Sequence, residues 1–194
     1  MAYEVLRMTI DKIIDQFGQL SEKSKISLKA IIKEVTFPKG HILIKAEKIE
    51  RNIYFIKKGM VRAYSDKVNG QVTFWFGKEG DMVVSMRSYV ANEQGYENIE
   101  LLEDCELYEL KTSDLQALFE IDIYVANWGR KLIEKELLKT EERLISMQFK
   151  TAMERYDELT QAHPHLLRRV QLGYIASYLG ISQVSLSRIR ASFR

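Results

Sequence analysis

Residues 172–193 read LGYIASYLGISQVSLSRIRASF, and the fold of the whole chain turns on how that stretch is read. Leu172, Ile175, Ala176 and Leu179 recur at i, i+3, i+4 and i+7, which lines up one apolar face of a short helix. Gly180 breaks it. Ser182 suits the N-cap of a second helix, on which Leu186, Ile189 and Phe193 form another inward stripe. Two short helices joined by a glycine turn make a helix-turn-helix, in which small Ala176 permits close approach and Ile181, Leu186 and Ile189 lock the pair. The same pattern also suits an ordinary αα-hairpin in a core. The outer face separates the two readings. With Leu186 and Ile189 inward, Val184, Ser187, Arg188 and Ala191 point away from the core, and Gln183 and Arg190 lie to the side. A small, polar, basic face is what a recognition helix needs in order to enter the major groove and offer paired donors or acceptors to base edges.

Charge follows the same division. Of the 29 Lys and Arg residues, five arginines fall between His163 and Arg194, where there is no Asp, Glu or Lys; the other 24 stand against all 27 acids. Cationic charge is thus concentrated at one end, as phosphate binding requires, although the net charge is only +2.

Upstream of this stretch the segment from Ile123 to about Phe149 contains no proline, and Gly129 is its one weak point. Val125, Trp128, Leu132, Leu137, Leu144 and Met147 recur at roughly helical steps. Such a helix of about 25 residues spans about 38 Å, more than a small domain needs. It either packs along the preceding domain or pairs with its twin in a homodimer, with Val125, Trp128 and Leu132 on the dimer face. A further helix near 150–162 ends before Pro164, because residues preceding proline avoid the α region.

Between His41 and Leu110 the pattern is short strands broken by glycines: HILIKA, NIYFIKKG, MVRAYS, VTFWFG, DMVVS, NIELLE and CELYEL. Asn69-Gly70 is a type I′ hairpin signal. Many short strands at this spacing predict a barrel or jelly roll. Thr112-Ser113-Asp114 can cap a short helix carrying Leu115, Leu118 and Phe119. At the N-terminal side, 10–18 and 21–34 read as two amphipathic helices, the second carrying Ile26, Ile31, Ile32 and Val35.

Composition excludes several function classes. No apolar run approaches the roughly 20 residues that span a bilayer, and the N-terminus lacks a signal-peptide h-region, so cytoplasmic residence without membrane attachment is expected. The single cysteine, Cys105, cannot form an internal disulfide or hold an iron–sulfur cluster alone, and is expected to be a buried small hydrophobe. Only His41, His163 and His165 are present, not spaced as a metal cluster, so no metal is expected. An enzyme of the cupin type shares the jelly roll but converges several histidines and a carboxylate on a metal, whereas this roll holds only His41. No enzymatic activity is expected.

The order of these parts resembles the Crp/Fnr family of bacterial transcription regulators, the catabolite activator and fumarate–nitrate regulator type. IYFIKKGMVRAYS, LLEDCELYEL and above all VQLGYIASYLGISQVSLSRIRASF carry the resemblance, which covers essentially the whole chain. It implies an α+β fold: an N-terminal double-stranded β-helix, or jelly-roll, effector domain with N-terminal helices (1–120), a long dimerisation helix (121–149) and a C-terminal helix-turn-helix (150–194). It also implies a homodimer on double-stranded DNA, an effector-sensing roll and contact with RNA polymerase. Within the motif, Arg188 matches a base-reading arginine suited to guanine. Gln183 stands at a base or phosphate contact, and Val184 replaces a common glutamate and could touch a thymine methyl. Ser182, Ser185, Ser187 and Arg190 complete the DNA-binding candidates, with Ser182, Ser185 and Arg190 also readable as caps or solvated residues. Many members add a β-hairpin wing; this sequence stops at Arg194, which is read either as fewer phosphate contacts or as a shortened sequence.

The effector positions depart further. Cyclic-nucleotide binders of the family place Gly-Glu after the strand that starts with Gly-Asp, and Arg-Ser or Arg-Thr about ten residues later. Counting from Gly80-Asp81, those positions are Val84, Ser85, Gly95 and Tyr96. Losing the phosphate-binding arginine removes a charge-assisted bidentate contact, so cyclic AMP is disfavoured and the small-molecule effector is unknown. Arg87, the only cation between Lys78 and Lys111, either pairs an anionic ligand or is a surface or ion-paired arginine. The competing function is a small-molecule-binding module, cyclic nucleotides included, without specific DNA binding.

Overall fold

All seven stretches with strand character form strands in the computed structural model, which describes residues 7–68 and 70–192. They are β2 (Ile42–Ile44), β3 (Asn52–Lys58), β4 (Val61–Lys67), β5 (Gly70–Gly77), β6 (Met82–Val83), β7 (Asn98–Leu101) and β8 (Cys105–Lys111). An eighth, β1 (Ile32–Phe37), corrects the sequence expectation. There the second N-terminal helix was extended to residue 34, but α2 (Glu22–Ala30) stops earlier. β1 pairs antiparallel with β8 from Ile32↔Leu110 to Phe37↔Cys105. A run of Ile31, Ile32, Val35 and Thr36 is β-branched and fits a pleated surface better than a helix once a partner strand is present. The strands form two four-stranded sheets, ordered β1-β8-β3-β6 and β2-β7-β4-β5, which is the pairing of a jelly roll. Asn69, and with it the expected type I′ turn, lies outside the described residues.

The helices are α1 (Ile10–Asp15), α2, α3 (Met86–Ala91), α4 (Thr112–Ile121), α5 (Ile123–Phe149), α6 (Ala152–Ala162), α7 (Leu166–Arg169), α8 (Leu172–Leu179) and α9 (Gln183–Ser192). α5 has the bounds its periodicity predicts. Asp122 caps it, accepting from the N–H groups of Tyr124 (2.9 Å) and Val125 (3.3 Å). α3 and α7 are too short to show a period.

Tertiary contacts divide the chain into two compact units. The first takes the residues up to Ala63 together with Phe76–Lys135; the second takes Tyr64–Trp75 together with 136 onward. In the first unit Ile13, Ile14 and Phe17 of α1 and Leu28 of α2 share a core with β3, β6 and β8, with Leu115 and Leu118 of α4, and with Val125, Trp128 and Leu132 of α5. Trp128 centres it: its ring lies edge-on to Phe17 at 6.1 Å and tilted on Phe55 at 6.2 Å, and its Nε1 donates to Ile14 O at 2.9 Å. Gly129 belongs to the same packing, because a Cβ there would overlap the Phe119 ring. Cys105 is buried.

In the second unit Tyr156, Leu159, Leu166, Val170, Ile175, Ala176, Leu179 and Leu186 are buried on α6 to α9. Among the described residues no helix is long and apolar enough to cross a membrane.

Candidate nucleic-acid interface and effector site

The helix-turn-helix forms at the residues that the apolar spacing marks. Ile175, Ala176 and Leu179 of α8 are buried, and Gly180 closes the helix at φ +69°, a left-handed conformation that glycine adopts without strain. Ser182 then caps α9, its Oγ accepting from Ser185 N–H at 3.1 Å. Leu186 is 1% exposed, which turns the opposite side of α9 outward. Gln183, Val184, Ser187, Arg188 and Ala191 are exposed, Ser185 and Arg190 half-buried, and α9 carries no acid. The structure therefore brings the seven nominated residues onto one helix and its cap. Ser182 and Ser185 are already engaged with each other, their hydroxyls 3.0 Å apart. Phe193 lies outside the described residues.

Three residues that periodicity does not single out hold α8 in place. Ser177 bridges to β5 as if it were another strand: its Oγ donates to Gln71 O (2.8 Å) and accepts from Thr73 N–H (2.9 Å). Arg143 of α5 donates to Phe74 O (3.0 Å) and Tyr178 O (2.5 Å), and its guanidinium lies 3.6 Å over the Tyr178 ring. Burial holds that guanidinium below its ordinary pKa. Arg155 of α6 donates twice to Leu179 O, at 2.9 and 3.2 Å, satisfying a carbonyl at the C-terminal end of α8.

The five nominated effector residues do not form one site. Arg87 is exposed and ion-paired, with Nε (3.2 Å) and Nη2 (2.5 Å) on Glu93 Oε2. Tyr96 is also exposed, at 60%. Val84 packs against the first unit's core and lines a small apolar cleft with Ile53, Met82, Tyr89 and Leu132. Ser85 and Gly95 are buried together, and the sequence reading missed the third member, Glu97, 5% exposed. Glu97 Oε2 accepts from Tyr96 N–H at 3.1 Å, whereas Glu97 Oε1 and Ser85 Oγ have no hydrogen-bond partner. Both atoms converge on Gly95, at 3.0 and 2.7 Å from where its Cβ would stand. Gly95 is itself pinned, its N–H donating to Lys48 O and its carbonyl accepting from Glu47 N–H. An anion placed in this cluster would meet a buried carboxyl group.

Val125, Trp128 and Leu132 correct the sequence reading of the dimer face. They are 0%, 2% and 3% exposed within their own chain, so none is available to a partner helix. Beyond Leu132, α5 exposes Leu137 (67%), Leu138 (54%), Leu144 (57%) and Ile145 (49%). These are two adjacent pairs seven residues apart, the spacing of a helix–helix seam.

Among the described residues no three His, Cys, Asp or Glu side chains are grouped to hold a metal ion.

Comparison with known proteins agrees with this architecture. Residues 34–122 match the cyclic nucleotide-binding domain family. No curated protein matches the chain by sequence. Among solved structures, FixK2 from Bradyrhizobium japonicum superposes with a TM-score of 0.70 at 21% identity, over 84% of each chain. A protein described as a Crp/Fnr-family transcriptional regulator, from Eubacterium rectale, gives 0.71 at 17% identity, over 90% of this chain and 83% of that one. CLP from Xanthomonas campestris, a c-di-GMP-responsive global regulator, gives 0.68 at 16%, over 89% and 91%. The chain therefore has the fold of the Crp/Fnr structures, with a β-roll similar to the cyclic nucleotide-binding domain family and a C-terminal helix-turn-helix.

Proposed function

We propose that this chain, with its Crp/Fnr fold, is a sequence-specific DNA-binding transcription regulator that acts as a homodimer. The observation that carries the reading is the outward face of α9, where Val184, Ser187 and Arg188 stand exposed with no acid on the helix. Arg188 is the residue assigned to guanine, through paired donors to O6 and N7; Val184 offers only apolar contact, which suits a thymine methyl. The second protomer pairs through Leu137, Leu138, Leu144 and Ile145 of α5. RNA polymerase is the further partner such a regulator meets. The chain carries out no catalysis in this reading.

The roll senses something other than a cyclic nucleotide. In the positions that would hold one, the residues do not fit a phosphate: Arg87 is spent on Glu93, and the buried cluster presents the carboxyl of Glu97. Recognition of a buried phosphate needs the opposite charge. A ligand with differential affinity for two arrangements of the protein would shift the population of DNA-competent dimers.

The reading is tested by duplex binding of two variants. Arg188→Ala relaxes discrimination at one base position by about 1–3 kcal/mol, while Arg190→Ala lowers affinity for all sequences and reduces the salt slope by about one. If both variants bind every duplex as the parent does, the assignment of α9 is wrong. Tight binding of a small molecule with no duplex binding at all would favour a ligand-binding module instead.

A further inference from the structure

The glycine at position 173, on the first turn of α8, has no backbone reason to be there. It does not adopt positive φ, and a glycine inside a helix is less favourable than alanine. Its reason lies on the neighbouring helix. A Cβ on Gly173 would overlap the amide nitrogen of Gln183 and stand 3.5 Å from its Cδ. The first side chain of α9 is thus folded back over α8, into the space that the missing side chain leaves.

We infer that Gly173 is a specificity-positioning residue, which parks the Gln183 carboxamide on α8 and leaves reading to Val184 and Arg188. The inference rests on the DNA-binding function proposed above. Gln183 is the one side chain on this face with both a donor and an acceptor in a fixed pair, the arrangement that recognises adenine through N6 and N7. Held against α8, that pair is turned away from base edges. The overlapping atom is the far end of a flexible side chain, so a methyl group at position 173 displaces the amide without disturbing the packing of Ile175, Ala176 and Leu179. Displaced, the carboxamide is released toward the groove face of α9.

The experiment selects binding sites from randomised duplexes with the full-length parent, Gly173→Ala, and the double variant Gly173→Ala with Gln183→Ala. Thermal unfolding of each is measured in parallel. Gly173→Ala keeps or raises the melting temperature and gains a preference for adenine at one position of each half-site, roughly 5- to 150-fold, the discrimination expected of one bidentate pair. The double variant loses that preference. A Gly173→Ala profile identical to the parent's overturns the inference, as does a new preference that survives removal of Gln183. Should the parent itself select no site, the DNA-binding function fails first and the inference falls with it.

Discussion

Two apolar stripes of α5, recurring at similar helical steps, meet different surroundings. Val125, Trp128 and Leu132 are buried in the core of their own unit, while Leu137, Leu138, Leu144 and Ile145 stand about half to two-thirds exposed. Helical periodicity reports that a face is apolar; it does not report what covers it. The first stripe belongs to the stability of the protomer, and the second is the surface assigned to assembly.

The largest effect that would break this contrast comes from Trp128→Ala. It removes the ring from between Phe17 and Phe55 and leaves Ile14 O with the Phe17 N–H but without the indole donor, at a cost of about 3–5 kcal/mol read by denaturant unfolding. A variant as stable as the parent would contradict the placement of the core. Next is the exposed seam. Replacing Leu137 and Leu144 together by Glu removes roughly 1.5–3 kcal/mol of burial per leucine from the dimer, so sedimentation shows monomer at concentrations where the parent is dimeric. The folded circular dichroism signal stays the same. A double variant that remains dimeric excludes this seam.

The smallest effect sharpens the boundary between α4 and α5. The hydroxyl of Ser24, followed by the N–H groups of Val125 and Tyr124, holds the Asp122 carboxyl below its ordinary range. Since the folded value is the lower one, the stabilisation is complete above the ordinary carboxylate range and is lost as the pH falls through the folded value. Asp122→Ala therefore costs about 1 kcal/mol at pH 7 and progressively less in strong acid. Equal differences at both ends of that range would show that the carboxylate is not the cap.

Much of the architecture was legible in the residues. Seven strands, the bounds of α5 and the bounds of α8 followed from period and punctuation, because each is long enough, or closed sharply enough, to show its pattern. β1 was not, since Ile31, Ile32 and Val35 satisfy a helical step as well as an alternating one and only pairing with β8 decides between them. α3 and α7 span six and four residues, too few for a period. The outward side of α9 was legible because it is the complement of an apolar stripe. The residues that hold α8, Ser177, Arg143 and Arg155, were not, because their partners are backbone carbonyls and amides that no side-chain pattern reveals. Glu97 escaped for a related reason: a gapless count points to Gly95 and Tyr96, whereas burial points one residue further on.

The most direct test of the central claim is selection of genomic fragments by the full-length protein, followed by titration of the recovered site against salt. The account predicts a palindromic site with half-sites about one helical turn apart, bound with an affinity that falls linearly in log–log coordinates as salt rises. Recovery of no common site, with every duplex bound equally, would contradict it.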